Sequence, residues 1–163
     1  MRIGIGYDVH AFAEGRALVL GGVSIPHHQG LAGHSDADVA AHAVMDALLG
    51  ALREGDIGAL FPDTDPTWKG ADSLELLSQV AALVAERGFR IVDVDTVIAC
   101  EVPKLAPFRD GMRSALASAM GVVAAQVGVK ATTAEGLGFV GREEGVAAYA
   151  VALLEEEAQI PGS

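Results

Sequence analysis

At 163 residues, 51% of them apolar, the chain can bury one substantial core and fits one domain, with no room for two catalytic ones. A formal net charge of −11, with its only lysines (Lys69, Lys104 and Lys130) scattered, argues against nucleic acid as a partner, because phosphate-backbone affinity needs clustered cations. No apolar run approaches the ~20 residues of a membrane span, Met1-Arg2-Ile3 opens no signal-peptide stretch, and the lone Cys100 has no disulfide partner, so a soluble, cytoplasmic protein without membrane contact is expected.

In chain order, Arg2 to Tyr7 reads as a short strand, and Leu18 to Ile25 as a small hairpin turning on Gly21-Gly22, which tolerate positive φ. Asp36 is a candidate N-cap for a helix from Ala37 to Leu52, whose Val39, Ala43, Val44, Ala47 and Leu48 carry the helical apolar spacing. Phe61 to Gly70 has two prolines, two aspartates and no periodicity, and reads as a loop. Asp72 with Glu75 makes a capping box for a helix from Ser73 to Arg87, stopped by Gly88. Phe89 to Ala99 is rich in β-branched residues and predicts a strand, Pro107 to Met120 a helix ended by Gly121, and Val127 to Thr133 a further strand. Gly145 to Leu154 stays open between helix and strand, since its alanines and leucines favour one and its valines and tyrosine the other. One domain over residues 1–157, with a polar tail at 158–163, follows from the absence of any linker or repeat. Strands interleaved with helices make the class α+β or α/β.

Three clusters carry chemistry. Asp8-Val9-His10 closes a strand, and alternate strand residues point the same way, so a carboxylate and an imidazole are aimed together. His42 on the first helix offers a third ligand and would leave a zinc ion one open position, with Asp38 or Asp46 as an outer anchor. Spacing alone also admits a capped strand end with a hydrogen-bonded histidine. His34-Ser35-Asp36-Ala37-Asp38 precedes a helix N-terminus, where free N–H groups, a hydroxyl and an imidazole suit phosphate oxygens; a plain capped turn is the competing reading. Lys130-Ala131-Thr132-Thr133-Ala134-Glu135-Gly136-Leu137-Gly138-Phe139-Val140-Gly141-Arg142 leaves a strand into a glycine-rich turn. There Glu135 suits magnesium or manganese and Arg142 a diphosphate, against the alternative of a solvated turn.

Taken together, Gly6-Tyr7-Asp8-Val9-His10, the run from His34 to Ala43, and Asp46 to Ala51 resemble the 2-C-methyl-D-erythritol 2,4-cyclodiphosphate synthase family. The likeness continues through Gly55-Asp56-Ile57-Gly58, Phe61 to Pro66, Gly70 to Ser73, Pro103-Lys104 and Lys130 to Thr133 as far as Gly145. The resemblance implies a phosphorus–oxygen lyase of the non-mevalonate (MEP) route of isoprene biosynthesis. Its substrate would be 4-diphosphocytidyl-2-C-methyl-D-erythritol 2-phosphate, whose 2-phosphate attacks the β-phosphorus and expels CMP. By the same likeness Asp8, His10 and His42 hold zinc, Glu135 a second divalent ion (Mg or Mn), and His34 and Thr133 donate hydrogen bonds to the transferring phosphoryl group. Asp56 would take the methylerythritol hydroxyls, with Ser35, Ile57, Gly58, Phe61 and a closing loop bearing Asp63 and Asp65 around it. Cys100, Pro103, Lys104, Leu105 and Ala106 would form the cytosine pocket, adjoined by Thr132. Phe139 and Arg142 would face the axis of a homotrimer, where an isoprenoid diphosphate fits.

The family likeness implies active sites at subunit interfaces and a mixed four-stranded sheet with helices on one face, which makes Gly145 to Leu154 a strand. Two departures stand out: Ala37 where glycine is common, expected to be harmless as a helix former near an N-terminus, and Ala134 where a third threonine is common. Two rival readings of the zinc residues are a phosphohydrolase that activates water and a trimeric binding protein with structural zinc.

Overall fold

The computed structural model describes residues 1–62 and 64–157; Asp63 and the expected tail at 158–163 lie outside the described residues. The first strand, β1 (Arg2–Ala13), alternates strictly: Gly4, Gly6, Asp8 and His10 turn toward the helical layer, while Ile3, Ile5, Tyr7 and Val9 turn away. It does not stop near Tyr7, and Asp8-Val9-His10 sits in mid-strand, because pairing with the last strand continues to Ala11 and a further short strand takes over at Phe12 and Ala13. A two-stranded ribbon follows, β2 (Leu18–Leu20) and β3 (Val23–Ile25), turned by Gly21 and Gly22 at φ 55 and 75.

After β4 (Gly30–Leu31) comes α1 (Val39–Leu52), buried on nearly every side, as expected of a helix that is apolar all round. It presses on β1 closely enough that a Cβ on Gly4 would lie 2.0 Å from the Ala47 carbonyl oxygen, and one on Gly6 1.9 Å from that of Ala43. The N-cap is Asp38, not Asp36: its carboxylate accepts from Ala40 and Ala41 N–H and also from Gly21 and Gly22 of the ribbon turn. Ala37 is therefore outside the helix, in the left-handed region at φ 60 with its methyl fully buried. Its helix propensity has no bearing there; the backbone conformation is one that glycine adopts without strain.

The short α2 (Ile57–Leu60) and a 3-10 turn at Pro66–Trp68 lead to α3 (Ser73–Glu86), capped by Asp72 and packed through Leu76, Leu77, Val80 and Val84. Then follow β5 (Phe89–Ala99), α4 (Arg109–Met120) ended by Gly121 at φ 67, β6 (Val127–Thr132), the short α5 (Gly138–Gly141) and β7 (Gly145–Glu156). The undecided segment is thus a strand.

The main sheet is five-stranded rather than four-stranded, in the order β4-β1-β7-β5-β6. The extra edge strand exists because β1 overruns the expected end and offers Phe12 and Ala13 to Leu31 and Gly30. The β5–β6 pair is parallel and the others antiparallel, so the sheet is mixed. The core lies between one sheet face and α1, α3 and α4. On the other face Ile3 (73% exposed), Ile5 (71%), Tyr7, Val9, Tyr149 and Val151 form an apolar surface, with the Tyr7 and Tyr149 rings 4.8 Å apart across the β1–β7 pair. No helix among the described residues is long and apolar enough to cross a membrane.

Candidate metal centre and substrate cavity

Successive inward residues of β1 and one turn of α1 bring three ligand atoms together. Asp8 Oδ2 lies 2.9 Å from His10 Nε2 and 3.0 Å from His42 Nδ1, and the two nitrogens are 3.2 Å apart. A tetrahedral zinc ion with bonds of about 2.0 Å sets its ligand atoms about 3.3 Å from one another, so this triangle is the right size and chemistry for such an ion. Electrostatics agree. Burial pushes the Asp8 carboxyl up, but hydrogen bonds and charge from His10 and His42 outweigh it and hold it at about 2. Burial pulls the His10 imidazole down, yet hydrogen bonding and charge from Asp8 leave it raised.

The three ligands open onto a cavity of about 240 Å³ lined also by His34, Ser35, Ile57, Gly58, Phe61 and Trp68. The His34 loop is clamped from two sides. Arg16 donates to the carbonyls of Gly33 (2.7 Å) and Ser35, which flank it, while Gly70 N–H donates to the His34 carbonyl and Asp36 N–H to that of Ala71. Among the described residues, buried His34 Nε2 has no hydrogen-bond partner, and a ligand oxygen would satisfy it. Asp56 caps α2 through Ala59 N–H and is exposed, preceding the cavity-lining Ile57 and Gly58 in sequence; Asp65 caps the following 3-10 turn through Thr67 N–H. Neither proposed anchor's carboxylate bonds the His42 imidazole: that of Asp38 is engaged by four backbone N–H groups, and that of Asp46 accepts from Ile57 N–H at 2.8 Å. The partners of His42 Nε2 are instead Ser73 Oγ (3.0 Å) and Ser35 Oγ (3.2 Å).

The remaining expected residues gather elsewhere on the same chain. Leu105, Ala106, Ile98, Met112 and Ala131 line a second cavity of about 150 Å³. Cys100 is buried beside it, its N–H bonded to the Thr132 carbonyl, and burial pushes its thiol up to about 11. Pro103 follows a cis peptide bond, and Lys104 is exposed. Thr133 Oγ1 donates to Glu135 Oε1 at 2.8 Å on the exposed turn after β6, and Ala134 N–H donates to Glu101, tying that turn to the segment around residue 101. Phe139 is half-buried on α5, and Arg142 pairs with Glu144 in the open. Neither Thr133 nor Glu135 lines the first cavity. Arg16 and Trp68 carried no signal of their own, and Ser73 none beyond its place in the Gly70 to Ser73 motif: an arginine in a turn, an aromatic in a loop and a serine at a helix start become site residues only through partners distant in sequence.

The chain's relatives bear on the same site. The YgbB family profile matches residues 1–155. The 2-C-methyl-D-erythritol 2,4-cyclodiphosphate synthase of Thermosynechococcus vestitus is 59% identical over 155 residues, covering 95% of this chain and 96% of that protein. The bifunctional IspDF of Campylobacter jejuni superposes with a TM-score of 0.92 at 45% identity, over 95% of this chain and 42% of that one. The CDP complex of IspF from Plasmodium falciparum superposes with a TM-score of 0.84 at 32% identity, over 96% of this chain and 97% of that one. Matched by the profile over residues 1–155, and 59% identical to a relative that it covers to 96% of its length, the chain belongs to the YgbB family.

Proposed function

We infer that this chain is a phosphorus–oxygen lyase of the MEP pathway, acting in the cytoplasm. It cyclises 4-diphosphocytidyl-2-C-methyl-D-erythritol 2-phosphate to 2-C-methyl-D-erythritol 2,4-cyclodiphosphate and releases CMP. The observation that carries the reading is one cavity in which Asp8, His10 and His42 converge beside the unpartnered Nε2 of His34. The identity to a synthase of that name and the CDP complex of a structural relative support it.

The reaction asks little covalent chemistry of the protein. Nucleophile and electrophile belong to one molecule, so folding the substrate back and neutralising the transferring phosphoryl group suffice. Asp8, His10 and His42 would hold zinc, which supplies Lewis-acid polarisation of the β-phosphate when bound. His34, clamped by its loop, donates from Nε2 to a phosphate oxygen, a fixed donor costing no reorganisation as charge develops. Thr133 is the second donor, and Glu135 would hold a magnesium or manganese ion, which when bound would neutralise charge on the diphosphate. Asp56 accepts from the methylerythritol hydroxyls with Ser35, Ile57, Gly58 and Phe61 around it, and the loop bearing Asp65 closes over the sugar.

A cavity of about 240 Å³ falls short of the ~300–1,000 Å³ that ligands of drug size occupy. A second subunit completes it: the cytosine lies against Cys100, Pro103, Lys104, Leu105, Ala106 and Thr132 of a neighbouring copy in a homotrimer. Phe139 and Arg142 face the axis and take an isoprenoid diphosphate. The uncovered apolar face of β1 and β7 is the surface such a trimer would bury, since monomers seldom leave patches of that kind open.

Phosphorus NMR of the protein with substrate, magnesium and zinc tests the reading. A cyclic diphosphate and CMP are expected, and prior chelation of zinc abolishes both. Free inorganic phosphate would identify a water-activating phosphohydrolase instead, and intact substrate would refute catalysis altogether.

A further inference from the structure

His42 uses only Nδ1 toward Asp8 and His10, and the fate of its other nitrogen depends on residues outside the expected site. Nε2 lies 3.0 Å from the hydroxyl of Ser73, a side chain with no solvent exposure at the first turn of α3. That hydroxyl is in turn hydrogen-bonded to Asp36 Oδ1. Asp36 is an acceptor on all sides, taking Asp38 N–H on Oδ1 and Ser73 N–H on Oδ2 at 3.2 Å each. A serine has one proton to give. Committed to Asp36, Ser73 offers His42 only a lone pair, which calls for a proton on Nε2 and leaves the Nδ1 lone pair directed at the ligand triangle.

We propose that Ser73 and Asp36 are positioning residues for the metal centre, a carboxylate–hydroxyl relay that orients the His42 ring and holds it in the tautomer that binds through Nδ1. The proposal rests on the metal-site reading above. Ser35 cannot replace the relay. Its oxygen accepts from Ala37 N–H and stands 3.2 Å from Nε2, but its own proton is bound to no carboxylate, so it accommodates either tautomer. Partners of this kind typically govern metal affinity by 10–100-fold, through both ring orientation and ligand basicity.

Zinc affinity measured by competition with a chromophoric chelator, alongside melting temperatures with and without zinc, tests the relay in the full chain. Ser73→Ala is expected to weaken zinc binding by about 10–100-fold and to shrink the zinc-dependent rise in melting temperature. Ser73→Thr, which keeps the hydroxyl, restores both. A purely structural role for Ser73 would lower the two melting temperatures together and leave the increment intact. Asp36→Asn gives an independent arm if Ser73→Ala does not fold, with weaker zinc binding again expected. Wild-type zinc affinity in Ser73→Ala or Asp36→Asn would overturn the relay while leaving the metal site standing; a wild-type protein that took up no zinc would overturn the metal-site reading itself.

Discussion

Asp8 and His10 alter each other's protonation, with His42 also favouring the Asp8 carboxylate, so the pH response of this cluster is a residue-scale property. Asp8, held at about 2 against its ordinary 3.8, stabilises the zinc-free fold above the ordinary value, and that contribution is lost as pH falls through about 2. His10 is shifted the other way: its contribution is complete below the ordinary 6.5 and is lost as pH rises through the higher folded value. In zinc-free protein the destabilisation caused by His10→Gln should therefore be larger at about pH 5.5 than at about pH 8, read from urea midpoints. Zinc competes with the same protons, so its affinity should fall as pH drops below the raised His10 value. Removing a ligand outright is harsher. His42→Ala should reduce bound zinc to background and lower turnover by more than about a thousandfold, since a Lewis acid supplies several kcal/mol. Metal analysis and the phosphorus assay check it, and an unfolded chain would favour structural zinc instead.

At the scale of elements, the contact between α1 and β1 sets the ligand geometry, because His42 rides on one and Asp8 and His10 on the other. Gly4 and Gly6 permit it by bringing a bare backbone against the helix. Gly6→Ala would place a methyl 1.9 Å from the carbonyl oxygen of Ala43, the residue after His42 on the helix, so the helix must move. Overpacking of this kind costs about 1–3 kcal/mol, and a loss of zinc affinity should accompany the lowered urea midpoint. The strand and helix types were largely readable from capping and periodicity: Asp72 does cap α3, and Phe89–Ala99 is a strand throughout. The errors fell where partners decide the outcome. β1 runs on to Ala13 because β7 and β4 are there to pair with it, and Asp38 displaces Asp36 as N-cap because the ribbon turn at Gly21 and Gly22 also needs its carboxylate.

For the whole molecule, the sheet has one face under helices and the other faced by Ile3, Ile5, Tyr7, Val9, Tyr149 and Val151. Tyr149→Asp or Ile5→Asp leaves the helical core untouched, and should yield monomers without synthase activity by sedimentation velocity and the phosphorus assay; a fully active trimer would place the interface elsewhere.

The sequence by itself determined the family, through the order of its motifs taken together: Asp8-x-His10, the histidine-bearing helix and the run from His34 are local patterns that each left a structural alternative open, and only their combined resemblance pointed to one chemistry. Only the tertiary structure decided which atoms meet. The Nδ1 rather than Nε2 of His42 turns to Asp8, Arg16 clamps the His34 loop, Asp36 serves Ser73 instead of capping α1, and Ala37 holds a left-handed turn. Each depends on a neighbour supplied by a distant part of the chain, and side-chain hydrogen bonds across such distances follow from packing of whole elements rather than from the spacing of residues.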